Sequence, residues 1–100
     1  MTDYLMPISP DVLRLFDRIV NTMVEQFGIS RGEAVARINA KWDGFSFLGD
    51  DGKLLTHEGN YFWALEIYYD DVPDWSPDAD RSSWNPLPPP EDPRFWTAGP

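Results

Sequence analysis

The chain contains no cysteine. Disulfides, thiolate metal sites and a cysteine nucleophile are therefore excluded, and the absence fits a reducing, cytoplasmic setting. There is a single histidine, too few for a typical zinc site without further ligands. Basic residues are scarce: eight Lys and Arg stand against seventeen Asp and Glu, a formal charge of -9 with no basic run. Nucleic acids and anionic membranes need cations to meet their phosphates, so neither is an expected partner. No apolar run approaches the ~18 residues that a membrane-spanning helix requires. The opening segment MTDYLMPISP is acidic and broken by Pro7 and Pro10, unlike a signal peptide with its basic start and apolar stretch.

What the chain has in quantity is aromatic surface, acid and proline. Of its 100 residues, 42% are hydrophobic and 15% aromatic, which argues against disorder and for one packed core. The length suits a single domain over 1–100. Eight of the ten prolines fall in residues 73–100.

Residues 9–28 read as a first amphipathic helix. Ser9 suits the N-cap, Pro10 the first helical position, and Asp11 the positive end of the helix. Leu13, Phe16, Val20, Met23 and Phe27 step by three and four, widened by Ile19 and Val24, and Gly28 is a natural stop. Residues 30–43 read as a second helix. Ser30 and Glu33 have the spacing of a reciprocal capping box, Val35, Ile38 and Trp42 line one face, and Gly44 ends it. The short link between them implies an αα-hairpin or angled pair. Arg31, Arg37 and Lys41 give helix 2 a slight likeness to a DNA-reading helix, which the acidity of the rest opposes.

Phe45, Phe47, Leu54 and Leu55 flank GDDG, which reads as a turn, so 45–57 is expected to form a short β-hairpin supported by the helices. NYFWALEIYY is ambiguous. Alternation would place Tyr61, Trp63, Leu65, Ile67 and Tyr69 on one strand face, whereas Asn60 as a cap and the nearly continuous apolar run favour a buried third helix over 60–70. Beyond Pro73 no helix or central strand is expected, and Trp75, Trp84 and Trp96 punctuate the tail. The predicted fold is thus α+β and mainly helical: two amphipathic helices, a short hairpin, a third aromatic helix or strand, and a Pro/Trp-rich strap over 73–100 packed on the core.

Taken together, EAVARIN at 33–39, Trp42, His57-Glu58, Trp63 to Tyr69 and the proline-rich end resemble a group of small acidic bacterial proteins, mainly actinobacterial. Their pattern is of the type EAVxRIN…W…HE…YWA…IYY. Phe62-Trp63 stands where the pattern has Tyr-Trp. The resemblance carries no assigned activity and no functional residues. Its only functional implication is by analogy, because some small acidic bacterial proteins are immunity partners of secreted toxins.

The chemistry-bearing residues are few. His57 beside Glu58 is the one acid–base pair near neutral pH, but THEG lacks the second histidine of a zinc helix, and no G-x-S-x-G elbow accompanies it. A structural histidine at a turn is the simpler reading. Asp50-Asp51, Asp70-Asp71, Asp74, Asp78 and Asp80 suggest calcium. DADRSSWNPLPP starts like an EF-hand loop but has Ser83 in place of glycine and Pro89 in place of the closing glutamate. No metal and no cofactor is expected. PLPPP resembles a polyproline ligand, yet Glu91 and Asp92 follow it where such ligands tend to carry bases, so a strap docked on its own domain is favoured.

The expected function is a non-enzymatic protein-binding module, in an immunity-like form, that takes a basic partner through Asp70, Asp71, Asp74, Trp75, Asp78 and Asp80. The alternatives are a small enzyme using His57 and Glu58, and a structural or oligomeric subunit. The sequence sets neither the partner's identity nor the oligomeric state.

Overall fold

A computed structural model describes residues 3–100. The Ser9 Oγ accepts from the Val12 N–H at 3.3 Å and opens helix α1, Pro10–Phe27, with Pro10 in the first turn where its missing N–H costs nothing. Gly28 closes it in the left-handed region (φ 69°), its N–H donating to the Val24 carbonyl. The buried stripe of α1 is Val12, Leu15, Phe16, Ile19, Val20 and Met23. It is rotated from the predicted one, so that Leu13, Val24 and Phe27 become its half-buried edges.

Helix α2, Arg31–Lys41, begins at Ser30, whose Oγ accepts from the Glu33 N–H at 3.0 Å. The predicted reciprocal box is half made, because the Glu33 carboxylate turns instead to Arg37, 2.8 Å away. Nearly all of α2 is buried, including Ala34, Val35, Ala36, Ile38 and the polar Arg37 and Asn39. Gly32 is required there: a Cβ would fall on the Gly99 carbonyl oxygen, so only glycine lets the C-terminal segment lie against the helix.

The predicted hairpin over 45–57 does not form, and with it the α+β class is corrected. Residues Asp50–Thr56 make a third helix, α3, and among the described residues there is no strand, only two isolated β-bridges. Two reasons, one local and one distant in sequence, account for this. Asp50 and Asp51 sit in the first turn of α3, where carboxylates favour the positive end of a helix. The strand preference of Phe47 is met elsewhere, by a parallel bridge to Ile8 in which the Phe47 N–H donates to Pro7 O at 2.8 Å. A lone two-stranded hairpin would have been marginal beside that alternative.

Helix α4, Asn60–Tyr68, resolves the ambiguity of NYFWALEIYY in favour of a helix. Its N-cap is Gly59 rather than Asn60, and the Asn60 amide donates to Thr22 Oγ1 of α1 at 2.6 Å. Phe16 is the hub of the core: Trp42 stacks on it at 5.2 Å, and Tyr4 and Phe47 meet it edge-on. Burial, followed by the hydrogen bond to Asp17, raises the Tyr4 phenol far above its ordinary pKa and keeps it protonated.

The proline-rich segment runs back over the helices. Tyr69 bridges Pro86, and the Leu87 N–H donates to Tyr68 O at 2.8 Å. Trp84 meets the Tyr69 ring edge-on at 5.1 Å, and the Trp96 indole donates to Pro90 O at 2.9 Å. Trp84 and Trp96 are half-buried, and a short 3₁₀ turn at Pro93–Phe95 rests near α2.

Candidate functional site

Between Leu54 and Asp80 the chain holds seven Asp and Glu and no Lys or Arg. The fold does not neutralise this stretch from elsewhere. Among the described residues no ion pair reaches Glu58, Glu66, Asp70, Asp71, Asp74, Asp78 or Asp80, whereas Arg14, Arg31, Arg37, Lys53 and Arg94 are each paired with another acid. The nearest cation in sequence, Arg81, is committed to neutral groups, donating to Tyr61 Oη at 3.0 Å and Gln26 Oε1 at 3.4 Å beneath the Phe27 ring.

Trp75 stands in the middle of the loop that follows α4. Its indole lies nearly parallel to the Phe62 ring, 4.7 Å between centroids and 15° between planes, yet keeps 43% of its surface exposed. Phe62 is itself fixed edge-on against Trp63, whose indole donates to Leu55 O at 2.8 Å. One face of Trp75 is thus held by the helix, and 43% of the residue is open to solvent. Phe62 was not singled out from sequence. Its position on the half-buried side of α4 was the only signal, and it depended on the helix being recognised.

The predicted aspartates divide into three groups. Asp74 and Asp80 are drawn into tight turns: their Oδ1 atoms accept from the Ser76 and Ser82 N–H groups at 2.9 and 3.0 Å. Those backbone donors hold both carboxyls below the usual aspartate range, so they stay ionised to lower pH. Asp70 and Asp71 flank a shallow cleft of about 210 Å³ with Pro73, Ser83, Trp84 and Asn85, and the Asp70 N–H donates to Asn85 O. Asp78 is exposed on the same loop, and among the described residues no hydrogen bond or ion pair aims it at the others. Asp74 and Trp75, and Asp70 and Asp71, are near one another as chain neighbours, and the fold does not gather all five aspartates into a cage. Among the described residues, no group of three or more His, Asp or Glu side chains is placed to hold a metal ion.

His57 terminates α3, its N–H donating to Leu54 O, and both it and Glu58 are exposed. Among the described residues no carboxylate or hydroxyl hydrogen-bonds to the imidazole, so nothing orients it as a general base. A second surface feature was not foreseen. Beside α3 lies a cleft of about 510 Å³ lined by Trp42, Phe45, Ser46, Phe47, Asp51, Leu54 and Leu55. Reading 45–57 as a hairpin concealed it.

No family model, curated protein or solved structure matches this chain. Among the described residues no helix is long and apolar enough to cross a membrane.

Proposed function

We propose that the chain is a non-enzymatic binding module that takes a basic segment of a partner protein on the loop 70–80. The observation that carries this reading is Trp75. It is laid flat on Phe62 and still 43% exposed, in a stretch with seven acids and no Lys or Arg. An arginine or lysine placed over such a ring gains about 0.5–1 kcal/mol at an exposed site, and more as water is excluded. The surrounding carboxylates add steering and orientation more than raw affinity. Asp74, the chain neighbour of Trp75 whose carboxylate accepts from the Ser76 N–H, supplies a negative charge on the same loop.

The resemblance to small acidic bacterial proteins gives this reading an immunity-like form, in which the bound protein is neutralised. The residues that carry the resemblance include Ala34, Val35, Ile38, Asn39, Ala64, Leu65 and Ile67, all buried. They speak to packing, and the proposal rests on the exposed loop.

The test is affinity capture from lysate of the source organism, with the full chain and its Trp75→Ala variant as parallel baits. A cationic protein held at low salt, released at high salt and missing from the variant supports the module. A protein that both baits hold equally, at either salt, contradicts it.

A further inference from the structure

Pro86, Pro88, Pro89 and Pro90 surround a single leucine, and their covalent geometry sets the backbone of the segment. The pyrrolidine ring locks φ at about −65°. Asn85, Leu87, Pro88 and Pro89 each precede a proline, which drives them out of the helical region into extended or polyproline II backbone. The antiparallel bridge between Pro86 and Tyr69 agrees with this. Such a segment winds as a left-handed helix of about three residues per turn with no internal hydrogen bonds.

The domain holds this segment from both ends. Asn85 O accepts from the Asp70 N–H at 3.0 Å, the Leu87 N–H donates to Tyr68 O at 2.8 Å, and Pro90 O accepts from the Trp96 indole at 2.9 Å. Positions three apart share one row of the helix. Leu87 and Pro90 form the row nearest the domain, where they line a cleft of about 220 Å³ with Ala40 and Lys41 of α2 and Ile67 of α4. Pro86 and Pro89 form a second row, and both are exposed. Pro88, on the third row, reaches the same cleft and is still exposed. Among the described residues no hydrogen bond uses the carbonyls of residues 86–89.

These features select the chemistry of the surface that meets them. The segment has no free backbone donor, since its prolines lack an N–H and that of Leu87 is already used, so it cannot pair as a strand of another sheet. It offers apolar rings and open carbonyls. Tyr and Trp side chains match both, packing their rings beside the prolines and donating an O–H or N–H to the carbonyls. Glu91, next in the chain, is exposed, and among the described residues it joins no ion pair, so a base at that end of the groove complements it.

We infer that residues 86–91 are a presented polyproline ligand, taken by an aromatic-lined groove of a partner domain through Pro86, Pro89 and the open carbonyls. Strap and ligand are one device here: Leu87 and Pro90 serve the chain's own domain, Pro86 and Pro89 the partner. Anchoring the ends removes conformational freedom before the partner arrives, which favours binding. The inference uses other residues than the Trp75 loop and does not rest on it.

NMR titration of the ¹⁵N-labelled full chain with a panel of unlabelled SH3, WW and EVH1 domains tests it, with Pro86→Ala, Pro89→Ala and Glu91→Lys variants alongside. The substituted side chains are exposed, and retained helical circular dichroism confirms that the variants fold. The expected result is binding by a domain with a basic groove rim. The amides of Asn85, Leu87 and Glu91 shift first and the Trp75 indole stays in place. Each proline variant should weaken binding at least about fivefold, Glu91→Lys should weaken it too, and Trp75→Ala should leave it unchanged. Failure of every domain in the panel to bind at millimolar concentration overturns the proposal. So does binding that neither proline variant weakens, or that moves the Trp75 indole instead.

Discussion

Asn39 and Phe95 lie 56 positions apart in sequence, and the Asn39 amide donates to the Phe95 carbonyl at 2.9 Å. The same side chain accepts from the Leu5 N–H at 2.9 Å and donates to Asp3 O and Thr97 Oγ1. One fully buried amide on α2 therefore ties the segment before α1 to the end of the strap. Buried polar groups of this kind persist because every bond is made.

Replacing Asn39 by Ala leaves the Leu5 N–H and the Phe95 carbonyl without their partner. The expected loss is about 2–3 kcal/mol, from the cost of unsatisfied buried groups. Urea unfolding measures it, and faster hydrogen exchange at Leu5 localises it. Asn39→Asp, which still accepts but no longer donates, should also destabilise.

Gly52→Ala carries a sign opposite to helix propensity. In an ordinary exposed helix the change stabilises by about 1 kcal/mol. Here the added Cβ lies 2.5 Å from Phe47 O and 3.0 Å from Val12 Cγ2, so the segment before α3 must move off the core. A lower melting temperature is expected, and a higher one would show that α3 is free of Phe47.

The strap should contribute modestly. Trp84 and Trp96 are half-buried, so Trp84→Ala and Trp96→Ala should each cost about 1–2 kcal/mol, less than the 3–5 kcal/mol of a fully buried aromatic. Denaturant melts that leave both variants as stable as the parent would mean the strap does not hold the helices in solution.

Asp74 and Asp80 give a pH signature. Each has its folded pKa lowered by a backbone N–H, so the turn's contribution is present above the unfolded value and lost as pH falls through the folded one. Carboxyl-carbon NMR titration should place both midpoints below the usual aspartate value, so that cation binding on the loop persists into mild acid. Midpoints at or above that value would show the turns open.

Much of the helical frame was legible because its signals are local, and the rest was not because it depends on contacts distant in sequence. Ser9, Pro10 and Gly28 punctuate α1, and Ser30 opens α2, because capping is chemistry between neighbours in sequence. The Gly49 to Gly52 stretch was misread because GDDG suits a turn as well as the start of a helix. What decided it was distant: Ile8 and Pro7 engage Phe47, and Val12 packs against Gly52. The role of Asn39 depends on Leu5 and Phe95, which no spacing rule connects to it. Trp75 and the aspartates of the loop were identified in sequence from composition. Phe62 and the α3 cleft were not, since each exists only once the helices have packed.

The most direct test of the central claim is a two-dimensional amide and indole NMR titration of the full chain with an arginine-rich peptide, at low and at high salt. The account predicts that the Trp75 indole and the amides of residues 70–80 shift first, that the shifts shrink as salt rises, and that Trp75→Ala weakens binding about two- to fivefold while the fold is kept. Shifts spread evenly over the acidic surface, and unchanged in the variant, would contradict it.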